Sequence, residues 1–247
     1  MAHKAFQNGK IMKKNYDTLL LDADDTLLDF GKTEKAALEN TFDEYGLKLT
    51  EEIRAIYKTI NHELWSAFER GEITKETITS TRFSRVFDTV GYRVDGRTFH
   101  LDYQKALGRG YFLIDGAREL CEKLAGKYRL YCVTNGVAAT QYSRLSGSGL
   151  DNYFDNIFVS EEIGHQKPSR DYFSAVFKSI GQFDPSRTLI VGDSLTSDIQ
   201  GGKNTGIDTC WYNPSGKIAE PALKADYDIR KLDELLPILE KSVAEIR

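Results

Sequence analysis

Short apolar runs that alternate with helical patterns constrain the fold of this chain more than any other feature. YDTLLLD (16–22), RLYCVTN (129–135), NIFVS (156–160), TLIVGD (188–193) and a run near 208–212 read as strands, with a weaker candidate near 226–229. Between them, apolar residues at three- and four-residue spacing predict helices around 116–126, 137–147, 171–181 and 196–205, and a last helix over 232–246. Strands that are apolar throughout must be covered on both faces, and strands separated by helices run parallel. The predicted fold is α/β, a doubly wound, mostly parallel sheet. Ligands of such sheets bind beyond the C-terminal ends of the strands.

One interval breaks the alternation. About ninety residues separate the first two strands, far more than a single crossover needs. TEKAALENTFDEYG, EEIRAIYKTINHELWSAFERG, KETITSTRFSRVFDTVG and DGRTFHLDYQKALGRG each carry a helical period, and Gly46, Gly71 and Gly91 stand where the first three should stop. The reading is an α/β core of 16–30 and 113–247, interrupted by an inserted α-helical unit over 31–112. Residues 1–15 are polar and basic with no apolar segment of a secretory signal, and read as a flexible lead-in.

Totals exclude several function classes. With 40% hydrophobic and 28% charged residues and a formal net charge of −4, the chain has the balance of a soluble globular protein. The mild negative charge argues against a nucleic-acid polymer or membrane surface as partner, and no apolar run approaches the roughly 18 to 20 residues of a membrane span. Cys121, Cys132 and Cys210 are too few and too scattered for a disulfide framework or a zinc site. They read as core thiols, and a reducing cytoplasm is the expected location.

Polar residues gather where strands end. The first strand runs into Asp22-Ala23-Asp24-Asp25-Thr26, the second into Thr134-Asn135-Gly136, and the fourth into Gly192-Asp193-Ser194, with Asp198 five residues past Asp193. In a parallel sheet these ends share one edge, so groups distant in sequence converge. Buried carboxylates repel one another and need a counter-charge. An oxygen-only donor set without His or Cys suits magnesium, held by carboxylates, water and a substrate phosphate. A capping Asp in a strand-to-helix turn is the plainer account of Asp22 and Asp24 alone. The second strand's Thr134-Asn135-Gly136 would open a helix whose free N–H groups favour an anion, and Lys167 precedes Pro168 at the start of another helix.

Taken together, these stations resemble the haloacid dehalogenase (HAD) superfamily of phosphohydrolases. Its pattern is DxDxT, a Ser or Thr after the second strand, a Lys, and GDxxxxD, matched here by Asp22 through Thr26, Thr134, Lys167, and Gly192-Asp193 through Asp198. The helical insert after the first motif resembles the C1 cap of subfamily I on a Rossmann-like core. The resemblance implies that Asp22 is the nucleophile, forming an aspartyl-phosphate, and Asp24 the general acid and base. It implies Mg2+ held by Asp22, the Asp24 backbone carbonyl and Asp193, with Asp198 acting through water or by orienting Lys167. Thr134, the backbone around Asn135, and Lys167 would hold the phosphoryl oxygens. Asp25 replaces the usual Gly, a variant that resembles a branch containing pyrimidine nucleoside-monophosphate phosphatases; its carboxylate is expected to brace the turn into the cap.

Asp24 separates the possible chemistries, since the dehalogenase pattern lacks an Asp at that position. The expected substrate is a small-molecule phosphomonoester, first a pyrimidine nucleoside monophosphate. A sugar-phosphate phosphatase or a phosphomutase keeps the same residues, and a non-enzymatic phospho-receiver is a distant alternative. The insert's aromatics (Trp65, Phe68, Phe83, Phe87, Tyr92, Phe99, Tyr103, Tyr111 and Phe112) read as a helical core, with a base-stacking wall as the alternative. Asp29–Thr33 and Tyr111–Gly116 are the expected hinges.

Overall fold

A computed structural model describes residues 15–240. The described residues open with β1 (Thr18–Leu21), followed by four helices, α1 (Phe30–Glu44), α2 (Glu51–Glu69), α3 (Lys75–Val90) and α4 (Gly96–Gly108). Thereafter come α5 (Ala117–Leu124), β2 (Arg129–Thr134), α6 (Ala138–Ser148), β3 (Asn156–Val159), the short α7 (Ser160–Ile163) and α8 (Arg170–Ile180). β4 (Thr188–Gly192), α9 (Gln200–Thr205), β5 (Asp208–Tyr212), β6 (Tyr227–Ile229) and α10 (Leu235–Glu240) complete it. Among the described residues the sheet has six strands, all parallel, in the order β3-β2-β1-β4-β5-β6. β1 lies at the centre, Leu21 level with Cys132 on one side and Val191 on the other.

The two-residue period of the strands sorts their side chains into two cores. Leu19, Leu21, Leu130, Cys132, Leu189, Val191 and Cys210 face α5 and α10. Leu20, Tyr131, Val133 and Ile190 face Tyr172, Phe173 and Val176 of α8. The sheet is thus covered on both sides, as its continuous apolar runs require. All three cysteines are buried and unpaired.

The four helices after β1 enclose a core of their own, in which Phe42, Tyr57, Phe83, Phe87, Phe99 and Tyr103 pack together. Ring centroids of Phe83 and Phe99 lie 4.7 Å apart, those of Phe42 and Phe99 5.2 Å apart. Side-chain caps start each helix: Asp29, Thr50, Thr74 and Asp95 accept from backbone N–H groups three residues on. Gly46, Gly71 and Gly91 follow the ends of α1 to α3 as expected. The aromatic list divides, however. Tyr111 and Phe112 are exposed on the return linker, and Trp65 is only partly buried.

The segments entering and leaving this helical unit run side by side. Asp29 N–H donates to the Phe112 carbonyl (2.9 Å), and the Thr33 hydroxyl donates to the Gly110 carbonyl (2.9 Å).

Several boundaries differ from the sequence reading. Pro168, joined to Lys167 by a cis peptide bond, precedes the N-cap Ser169 instead of opening α8. The helix expected at 196–205 begins as a π-helical turn, Leu195–Ile199, before α9. The last helix is split into a 3₁₀ turn, Leu232–Glu234, and α10, and its expected continuation to 246 lies outside the described residues. So does the expected lead-in, apart from Asn15.

His100 makes stability depend on pH. Burial, and then the neighbouring Arg82 charge, push its pKa from 6.5 down to about 3. Below pH 6.5 the unfolded chain takes up a proton that the folded chain refuses, so stability falls as pH drops from 6.5 toward 3. At pH 5 that cost is about 2 kcal/mol. His100→Gln keeps an acceptor for Arg82 and should lack this cost. Denaturant melts from pH 7 to 4 should show the variant gaining on the native protein as pH falls, and parallel curves would refute the assignment.

Candidate active site

Asp22, at the end of β1, lies between two opposite demands. Its Oδ1 accepts from the Lys167 ammonium (2.7 Å) and its Oδ2 from the Thr26 hydroxyl (3.0 Å). Burial raises its pKa to about 7; the Lys167 charge opposes the rise and Asp198 adds to it. Thr26 also accepts from the Asp193 N–H (3.1 Å), so the first motif is tied directly to the end of β4. Asp193 is held well above the carboxylate range by burial and by Asp22 and Asp198.

Lys167 is 1% exposed and uses all three of its protons, on Asp22, on Asp198 (2.7 Å) and on the Val133 carbonyl (2.8 Å). Burial alone would lower its pKa, but Asp198 and Asp22 hold it well above the usual value. Asp198 reaches this position because Gly192 has no side chain: a Cβ there would stand 2.2 Å from Asp198 Oδ2. That oxygen accepts from the Ser194 N–H (3.1 Å), leaving Asp198 engaged at both ends. One carboxylate oxygen each from Asp22, Asp193 and Asp198 lie within 4.8 Å of one another. Such a hard, oxygen-only set fits a magnesium ion.

At the end of β2, the Thr134 hydroxyl accepts from Gln141 Nε2 (2.6 Å) and the Gly136 N–H (3.2 Å), which leaves its own proton to donate. Gly136 is another close approach, since a Cβ would meet the Gln141 side chain at 2.5 Å. Asn135 turns its amide toward the Lys167 backbone, accepting its N–H (2.8 Å) and donating to its carbonyl (3.0 Å). The helix expected to open at these residues starts later, at Ala138, whose N–H is already bonded to Glu161 (2.7 Å).

Asp24 faces the same space but has different partners. Arg144, fully buried, pairs with its Oδ1, and Gln141 donates to its Oδ2 (2.9 Å). Neither α6 residue was singled out in the sequence. Both belong to a helix whose only signal was its apolar period, and nothing local points them at residue 24. Asp25, with a φ of 58°, accepts from the Phe30 N–H (3.0 Å) and braces the turn into α1.

The helical unit closes this edge of the sheet. A cavity of about 260 Å³ is lined from below by Asp22, Asp24, Thr134, Lys167 and Asp193, and from above by Phe30, Asn61, Trp65, Glu69, Arg82 and Gln104. Polar latches join the layers, among them a bond from the Thr140 hydroxyl to Gln104 (2.6 Å). Lys75 Nζ donates to the Gly136 carbonyl (2.6 Å) and Ser160 Oγ (2.9 Å), Thr196 donates to Glu69 (2.8 Å), and Gln166 donates to the Phe68 carbonyl (2.8 Å). Burial pushes the Lys75 pKa down to about 8.

Comparison with known proteins places this geometry. The model of the haloacid dehalogenase-like hydrolase family matches residues 19–212, the span from β1 to β5. The chain belongs to that family. It is 49% identical to YfnB of Bacillus subtilis, a protein named only as a HAD-hydrolase, over 92% of this chain and 96% of the other. It is 38% identical to the pyrimidine 5'-nucleotidase PynA of Streptococcus pneumoniae, over 93% of this chain and 98% of that one. With the Escherichia coli pyrimidine 5'-nucleotidase YjjG it shares 31% identity, over 91% and 98% of the two chains. The crystal structure of YfnB, bound to magnesium and described as revealing interdomain movement, superposes with a TM-score of 0.87 over 92% of this chain and 99% of that one. Among the described residues, no helix is long and apolar enough to cross a membrane.

Proposed function

We propose that this protein is a magnesium-dependent phosphatase that hydrolyses pyrimidine nucleoside 5'-monophosphates through an aspartyl-phosphate. The observation that carries the reading is the meeting of Asp22, Asp24, Lys167 and Thr134 in one cavity that Trp65 also lines. That ring gives the cavity an aromatic wall suited to a base, where stacking is worth about 1–3 kcal/mol. The relatives named as pyrimidine 5'-nucleotidases, matched over nearly their whole length, support the same substrate class. Three unpaired cysteines agree with a reducing cytoplasm as its location.

The chain's own residues divide the work as follows. Lys167 and Thr26 orient the Asp22 carboxylate, from which an oxygen attacks phosphorus while the ester P–O bond breaks. The departing alkoxide takes a proton from Asp24. Water then attacks the aspartyl-phosphate, gives its proton to Asp24, and frees Asp22 and inorganic phosphate. Arg144 and Gln141 keep Asp24 aimed through both halves. The Thr134 hydroxyl and the backbone at Asn135 donate to the phosphoryl oxygens, and Lys167 supplies charge from behind Asp22. Asp22 and Asp193 would hold magnesium with the Asp24 carbonyl, while Asp198 fixes Lys167; the bound ion would offset the carboxylates and the phosphoryl charge. Residues 31–112 act as the cap, swinging where Asp29–Thr33, the N-cap and first turn of α1, runs beside the return segment Tyr111–Gly116, to admit substrate and exclude water.

Phosphate release from UMP, dUMP, dTMP, purine monophosphates and sugar phosphates, with and without magnesium, tests the reading. Turnover that requires the ion and is greatest on pyrimidine nucleotides is expected. A sugar phosphate at the top of the panel would refute the nucleotide assignment. Isomerised product from a supplied bisphosphate, with no phosphate released, would replace hydrolysis with a mutase.

A further inference from the structure

The wholly buried guanidinium of Arg144 is bonded to the cap and to the catalytic site at once. Nη1 pairs with Asp24 and donates to Gln141 Oε1 (3.0 Å), while Nε donates to the Gly110 carbonyl (3.0 Å). Gly110 is fastened to the cap, since its N–H donates to the Leu107 carbonyl (2.9 Å) in the last turn of α4. The Gly110 carbonyl also accepts from Thr33 (2.9 Å), a fully buried residue of α1 that shares its proton with the Asp29 carbonyl (3.0 Å). One oxygen therefore joins the first cap helix, the last cap helix and the arginine that holds Asp24. A guanidinium is a rigid planar fork, so the direction of Nε fixes that of Nη1. Nη2 is already buried without an acceptor among the described residues. If the Gly110 carbonyl moved away, Nε would become a second such donor, a state folded proteins avoid. A side chain turning to escape it would draw Nη1 off Asp24.

We propose that Thr33 and Gly110 are positioning residues that act through Arg144, so that Asp24 is aimed at the leaving oxygen only while the cap is seated; this rests on the acid role of Asp24 given above. Gly110 directly precedes the return segment, so rotation of the cap there turns its carbonyl. Arg144 follows that carbonyl, and Asp24 loses its aim. Proton transfer is thereby confined to the closed cavity, and Asp24 does not serve an open site where bulk water competes for its proton. Gly110 offers a way to disturb this chain without touching Arg144 or Asp24. Its backbone lies outside the left-handed region, so alanine fits the chain, but the added Cβ would stand 2.5 Å from Thr33 Cγ2. Thr33 is β-branched and buried and cannot swing aside. Gly110→Ala therefore wedges α1 from the end of α4 and shifts the shared carbonyl.

Rates with magnesium on a series of aryl phosphates, from p-nitrophenyl to p-methoxyphenyl, test the coupling. Along that series the leaving oxygen becomes more basic and depends more on a donated proton. The parameter read is kcat/KM, which covers departure of the leaving group and not hydrolysis of the aspartyl-phosphate. Asp24→Asn sets the scale: the basic end should fall by about tenfold or more beyond the p-nitrophenyl end. Thr33→Val, which removes the hydroxyl at nearly constant size, and Gly110→Ala should tilt the series the same way by about three- to tenfold, the size of one neutral hydrogen bond. Adding Thr33→Ser to Gly110→Ala removes the obstructing methyl and keeps the hydroxyl, and should recover part of the tilt. No tilt in either single variant, or a fall equal at both ends of the series, overturns the proposal, because a merely loosened cap does not sense leaving-group basicity. Should Gly110→Ala fail to fold, Thr33→Val decides alone. An untilted series in Asp24→Asn is a different failure: it removes the acid role of Asp24, and the coupling with it.

Discussion

Asp22→Asn is expected to abolish turnover, by a factor on the order of 10⁴ or more, because the attacking oxygen is lost while every binding group remains. The same change should leave the metal-free fold as stable as the native protein or more so. Asn keeps a carbonyl for Lys167, and its amide can face Thr26. What it removes is a buried carboxylate whose pKa stands at about 7 in the folded chain, against 3.8 for an unperturbed group. With the pKa raised on folding, the folded state retains a proton that the unfolded chain gives up above pH 4. Native stability therefore falls as pH rises from about 4 through 7, and the variant escapes that part of the loss. Phosphate release together with melts at pH 5 and 8 checks both halves. Residual activity above about 1% of native would exclude Asp22 as the nucleophile, since a lost nucleophile leaves only binding and electrostatic contributions. A variant less stable than native at pH 8 would show that the carboxylate supports the apo fold instead of straining it.

That a nucleophile could be proposed from sequence at all follows from the sheet. Apolar runs of period two, separated by helices, leave few arrangements open. Once the strands are parallel, Asp22, Thr134 and Asp193 must emerge on one edge, whatever their separation in the chain. Lys167 was harder to place, because a lone lysine before a proline has no pattern of its own; only its conjunction with the other stations marked it. The four cap helices were visible in their periodicity, and three of their stops in glycines.

What stayed hidden is side-chain reach across elements. Arg144 and Gln141 meet Asp24 only because α6 lies alongside α4 beneath the cap, a tertiary fact with no local signature. Arg82 sits in an amphipathic helix where an arginine ordinarily reads as solvated. Its burial depends on rings contributed by α2 and α4. Trp65 looked like its aromatic neighbours, and only the direction in which α2 faces sets it against the cavity. The π-helical turn at 195–199, which carries Asp198 to Lys167, has the same composition as an ordinary helical start.

Lys167→Met is the substitution expected to damage the fold most. It removes the ammonium that pairs with the buried Asp22 and Asp198, beside Asp193, and among the described residues leaves no cation in direct contact with them. Breaking a buried ion pair in this way costs roughly 3–5 kcal/mol. The cost should depend on pH in a definite direction. Asp22 and Asp193 already have raised pKa values in the native fold, and without Lys167 the Asp22 value rises further. Carboxylates that are protonated in the folded chain but ionised in the unfolded one lose stability as pH rises. The deficit relative to native should be largest at pH 8 and shrink toward pH 5. Magnesium should recover part of it, because a divalent ion at Asp22 and Asp193 neutralises the same charges and binds only the folded state. Turnover should stay low even in saturating magnesium, since Lys167 also orients Asp22. Denaturant melts of native and variant at pH 5 and 8, with and without magnesium, separate these contributions. A deficit equal at both pH values would mean that Lys167 matters for the packing of its stem, and would remove the charge balance inferred for the site.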